Sequence, residues 1–102
     1  MAKPIHSENV AFRITSGKGF QLTFPNGYTV SVQFGPGNYC SAKTGASFAD
    51  ELAYLEGKKS EAVSTTAEVL VWDKDGRDCG PAVGWQTATQ VAAIIAETAA
   101  RP

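Results

Sequence analysis

The chain has 102 residues, of which 43% are hydrophobic and 19% charged, with a formal net charge of −1 at pH 7. That composition suits a globular domain with one hydrophobic core and excludes a disordered chain. A pI near 5.7 and scattered Lys and Arg, with no run longer than Lys58-Lys59, argue against generic DNA or RNA binding, and no apolar stretch approaches the roughly 20 residues of a membrane span.

Residues 1–9 read as a polar arm and 10–102 as one α+β domain. The arm lacks a signal-peptide apolar region, so a cytoplasmic location is expected. Over 10–15, Val10, Phe12 and Ile14 alternate with polar neighbours, which predicts a strand ended by Ser16-Gly17. The strongest local pattern follows: Phe20, Leu22 and Phe24 alternate with Gln21 and Thr23, then Tyr28, Val30, Val32 and Phe34 alternate with Thr29, Ser31 and Gln33. Pro25-Asn26-Gly27 between them is turn chemistry, so strands 19–24 and 28–34 form a hairpin. Gly35-Pro36-Gly37 ends its second strand, because proline has no ladder donor.

A short helix is predicted over 48–56, with Phe48, Leu52 and Leu55 at helical spacing, Ser47 as N-cap and Gly57 as stop. The β-branched run 62–72 predicts a fourth strand, Asp73-Lys74-Asp75-Gly76 a turn, and 80–85 a short fifth strand at the edge. Thr87 and Gln90 have capping-box spacing at the start of a helix over 88–100, whose stripe Val91, Ile94, Ile95 and Thr98 can cover one sheet face. The fold class expected is therefore α+β, an antiparallel sheet of four to five strands with a C-terminal helix packed on one face.

Several chemistries fail on their own requirements. His6 is the single histidine and there is no CxxC pair, so a structural zinc site lacks ligands and no metal or cofactor is assigned. Asp73-Lys-Asp-Gly-Arg-Asp78 opens like a calcium loop, but Gly76 falls at its fourth position instead of the sixth, and Gly84 stands where a bidentate Glu is needed. Cys40 and Cys79 are far apart in sequence; a bridge is conceivable, though a cytosolic setting favours free thiols. No local motif pairs a nucleophile with a base, so no catalytic residue is assigned.

Two places suit a ligand or partner. In the loop Gly35–Thr44, Gly37 followed by Ala42-Lys43-Thr44 almost fits a phosphate-binding loop, but Ala42 replaces the second glycine and the parallel sheet is missing. Its backbone amides still suit an anion or small polar ligand, with Gly37, Asn38, Tyr39, Lys43 and Thr44 as the loop residues and Trp85 as an aromatic neighbour. The bland alternative is a glycine-rich hairpin exit with Tyr39 and Cys40 in the core. The second place is the polar face of the hairpin, where Gln21, Thr23, Thr29, Ser31 and Gln33 display hydroxyls and amides, and Trp72 supplies an aromatic interface anchor. Plain solvation explains such a face equally well.

The stretch Thr23-Phe-Pro-Asn-Gly-Tyr-Thr-Val-Ser-Val-Gln-Phe-Gly-Pro-Gly-Asn-Tyr-Cys40, with Ala67-Glu-Val-Leu-Val-Trp-Asp73 and Gly84-Trp85 after it, resembles a family of small uncharacterised proteins from tailed bacteriophages, prophages and actinobacterial genomes. The resemblance covers about half the chain and implies a viral or mobile-element origin; it assigns no functional residue. Small phage accessory proteins of this kind are often non-enzymatic inhibitors or decoys. The expectation is accordingly a binding protein that inhibits or sequesters a host protein or a small signalling nucleotide in the host cytoplasm. A self-assembling structural or minor virion protein, a homo-oligomer, is the alternative, and a small enzyme the third.

Overall fold

Alternating side chains dictate which way each strand faces, and the computed structural model pairs five such strands into one antiparallel sheet. The structure describes residues 10–15, 19–34, 40, 52–58 and 63–102. The strands are β1 (Ala11–Ile14), β2 (Gly19–Thr23), β3 (Thr29–Gln33), β4 (Ala67–Trp72) and β5 (Val83–Gln86), followed by the C-terminal helix Ala88–Ala99. Sheet order equals chain order, β1-β2-β3-β4-β5, so β1 and β5 are the edges.

The register sorts side chains into rows that run across the sheet. On one face, Phe12, Leu22, Val30 and Val71 form a row, and Ile14, Phe20, Val32, Val69 and Val83 form the next. The opposite face carries Ala11, Thr23, Thr29 and Trp72 in one row and Arg13, Gln21, Ser31 and Leu70 in another. The helix packs on β3, β4 and β5 of the apolar face. There Val30, Val32, Ala67 and Val69 are buried, with Val91, Ile94 and Ile95 of the helix against them.

Both tight turns share one plan. At Phe24-Pro25-Asn26-Gly27-Tyr28 the Gly27 amide donates to the Phe24 carbonyl and the Phe24 amide to that of Tyr28, with Gly27 at φ 89°. This is the three-residue hairpin loop whose last residue must be left-handed, which is why glycine stands there. The Asp73–Arg77 turn repeats it, with Gly76 bonded to Asp73.

Three expectations are corrected. The strand predicted over 62–72 begins only at Ala67: the Ser64 hydroxyl donates to the Thr66 carbonyl at 2.6 Å, a local bond that competes with the ladder. The edge strand predicted over 80–85 lies instead at Val83–Gln86, because Gly80 and Pro81 interrupt the chain after a lone bridge between Trp72 and Asp78. The terminal helix ends at Ala99, one residue early.

The described part of the short helix, 52–55, ends as expected: Gly57 has φ 79° and donates to Tyr54 while Lys58 donates to Ala53, a Schellman closure. Of the predicted 48–56 segment, Glu56 already belongs to the closing turn, and 48–51 lie outside the described residues.

Candidate functional site

The polar face turns out to be an internally bonded layer. Thr23 and Thr29 share a hydroxyl contact of 2.8 Å, and the Arg13 guanidinium donates to Thr23 Oγ1 at 2.8 Å. Further along, the Gln33 amide donates to Thr15 Oγ1 at 2.7 Å and to Ser31 Oγ at 3.2 Å. Thr29 is only 5% exposed and Ser31 6%. Strand alternation predicts these hydroxyls on display; instead they spend their hydrogen bonds on one another, as buried polar groups must.

Near the hairpin tip this layer opens into a cleft of about 250 Å³, lined among others by Arg13, Thr23, Thr29, Trp72, Asp73 and Lys74. Each is placed by a local rule. Period two along β1 and β2 aims Arg13 and Thr23 to the polar side, and the register brings Thr29 opposite Trp72. Gly27 lets the two turns meet: a Cβ there would stand 2.7 Å from Lys74 Cβ.

Charge in the cleft is lopsided. Among the described lining residues, Asp73 is the one carboxylate against the two cations Arg13 and Lys74. Its Oδ1 already accepts the amides of Asp75 at 2.9 Å and Arg77 at 3.0 Å. The Arg77 amide foremost, then that of Asp75 and the nearby Arg77 and Lys74 charges, hold its pKa below the ordinary 3.8, with desolvation opposing them. Asp73 is thus ionised, with its Oδ1 occupied in its own turn, and Lys74 is an exposed cation beside it. Among its described lining residues the cleft has two cationic side chains and one indole, a set that suits a small anion carrying an aromatic ring.

Of the residues singled out in the sequence, Gln21, Thr23, Thr29, Ser31, Gln33 and Trp72 share this face, and Gln21, Thr23, Thr29 and Trp72 line the cleft. Trp85 does not join them. It sits opposite the Glu68 end of β4, about 13 Å along the strand from Trp72 at ordinary strand rise. There two steps of β4 face three of β5, a bulge, and Trp85 adopts φ 50° with 57% of its surface exposed. Gly37, Asn38, Tyr39, Lys43 and Thr44 lie outside the described residues.

Arg13 and Lys74 are cleft residues that no sequence pattern assigns to a site. The parity of Arg13 and Gln21 signals their face, but only the β1–β2 register brings Arg13 to the cleft. Both cysteines are free thiols, Cys40 buried and Cys79 exposed. Among the described residues no cluster of His, Cys, Asp or Glu could hold a metal ion, and no helix is long and apolar enough to cross a membrane. A second hollow of about 300 Å³, lined by Phe20, Val32, Phe34, Val91 and Ile95 among others, is apolar and lies beside the helix. Comparison with protein-family models, curated proteins and solved structures gives no match.

Proposed function

We propose that this chain is a non-enzymatic binding protein that sequesters a small anionic signalling molecule, of the nucleotide class, in the cleft between its two tight turns. The observation that carries the reading is that Arg13, Lys74 and Trp72 line one cleft in which Asp73, the carboxylate among the described lining residues, has its Oδ1 taken by two backbone amides. A guanidinium already oriented by Thr23 and a lysine beside it suit phosphate oxygens, and an indole suits a base. A carboxylate kept ionised in its turn has no proton to give, which fits binding better than acid catalysis. A phage-type accessory factor acting against a host signal is the role such a protein would fill.

The test is thermal shift against cyclic and linear nucleotides, with inorganic phosphate as the control for bare charge. A ligand bound only by the native state at a hundred times its Kd adds about 2.7 kcal/mol, which is several degrees for a domain of this size. Lys74→Ala, an exposed change, should weaken that ligand about tenfold. No shift with any nucleotide removes the reading. The alternative, a self-assembling structural protein, is favoured by one observation of its own, the uncovered apolar side chains of β1.

A further inference from the structure

Phe12 and Ile14 lie on the apolar face, yet each is 86% exposed. The reason is architectural. The helix packs on β3, β4 and β5, so the rows it covers at one end of the sheet run out uncovered at β1.

The two sheet edges are also treated differently. β5 is blunted by Pro81 before it, by its bulge, and by Trp85 at positive φ, which are devices that stop another strand from adding. β1 has none of these. It pairs with β2 in unbroken register from Ala11 to Ile14, and contains no proline and a single charge, Arg13, whose side chain turns to the polar face and bonds Thr23.

We propose that β1 is a homotypic edge: two copies of this chain pair their β1 strands antiparallel about a two-fold axis through Phe12, joining the sheets into one of ten strands. The register follows from the side chains. With Phe12 on the axis, Val10 of each copy faces Ile14 of the other and Ala11 faces Arg13, so every cross-strand pair on the apolar face is hydrophobic and no like charges meet. An axis through Arg13 would set two guanidinium groups side by side. The Phe12 axis also extends the row Phe12, Leu22, Val30 and Val71 into its own counterpart, because a surface lacking charge on that face is complementary to itself. A net charge of −1 raises little repulsion between copies.

Area sets the strength. Two side chains this exposed, with Val10 and the main-chain edge, bury at most roughly 500 Å² per copy, so the whole interface is at most roughly 1,000 Å², the lower limit for specific association. The dimer is therefore weak and reversible. The inference goes beyond the ligand cleft and holds whether or not the cleft binds a nucleotide.

Sedimentation velocity across micromolar to millimolar protein decides it. The wild type is expected to move from monomer to dimer with rising concentration, and Phe12→Lys to remain monomeric at every concentration with an unchanged dilute-solution circular dichroism spectrum. In a Cys79→Ser background, Phe12→Cys should form a disulfide-linked dimer on mild oxidation and Arg13→Cys should not, since paired strands at an axis set Cα atoms about 5 Å apart, within disulfide reach. A wild type that stays monomeric throughout overturns the proposal, as does a Phe12→Lys protein that dimerises equally well. A monomer whose β1 amides resist hydrogen exchange would also overturn it, by showing that a segment of the same chain occupies this edge.

Discussion

Gly19 and Gly27 show how single residues set how closely two pieces of backbone approach. A Cβ at Gly19 would stand 2.0 Å from the Val32 carbonyl oxygen, and the residue has φ 153°. Backbone cannot yield as a side chain can, so Gly19→Ala must push β2 away from β3. At Gly27 the obstacle is Lys74 Cβ at 2.7 Å, together with φ 89°. Gly27→Ala should cost about 1–2 kcal/mol from the left-handed strain, and Gly19→Ala clearly more; urea unfolding of the two variants would show the order, and the reverse order would contradict the geometry. Asp73 gives a second test at this scale. Its folded pKa lies below the ordinary value, so its contribution to stability is fully present above the unfolded pKa and is lost as pH falls through the folded one. Wild-type stability should fall off below about pH 4, and Asp73→Asn, which keeps an acceptor oxygen but cannot titrate, should flatten that acid limb. A side-chain carboxyl titration by NMR at or above 3.8 would show instead that the Arg77 and Asp75 amides do not hold the charge.

Between elements, the contact that ties the hairpin to the helix comes from the turn itself. Asn26 Nδ2 donates to the carbonyls of Thr98 and Arg101, both at 2.9 Å, while its Oδ1 accepts the Tyr28 amide. One side chain therefore shapes the turn and satisfies carbonyls at the helix C-terminus, where no basic residue stands in the last turn. Arg101 adds to the same junction, its guanidinium 5.1 Å from the Tyr28 ring centre. Asn26→Ala should cost about 1–2 kcal/mol, and Asn26→Asp more, since a carboxylate would face the negative end of the helix dipole. Thermal melts of the two variants check this; equal losses would mean that the side chain acts only within its turn. At the other end, Thr87 Oγ1 accepts the Gln90 amide and Gln90 Oε1 accepts that of Thr87, the capping box that the Thr87–Gln90 spacing announces. Such features are legible in the sequence because they are local: alternation across Phe20–Phe34, the Pro-Asn-Gly turn and the cap each need only a few consecutive residues. Asn26 reaching a carbonyl 72 positions away, Arg13 arriving at the cleft through strand register, and β4 starting at Ala67 instead of residue 62 depend on pairing or on competing side-chain bonds. The site was half-legible for the same reason. Thr29 and Trp72 follow from parity, whereas Lys74 enters the cleft only because two turns meet.

Across the whole molecule, the off-centre helix makes stability a gradient. Val30 and Val69 are at most 1% exposed in the middle of the sheet, while β1 carries its largest side chains in the open. Removing two methyl groups from Val30 should cost about 2–3 kcal/mol as transfer energy and cavity combine, a large share of the 5–15 kcal/mol typical of a folded domain. Phe12→Ser removes a far larger group and should cost almost nothing in dilute solution, since that group leaves water only on association. The inequality runs against side-chain size, which makes it a sharp test of where the core lies. Native-state hydrogen exchange should rank the strands in the same way: β3 and β4 amides open only with global unfolding, and β1 amides exchange through local fraying at low protein concentration. If Phe12→Ser proves as damaging as Val30→Ala in dilute solution, then β1 is covered within the monomer, and the gradient is wrong together with the edge pairing built on it.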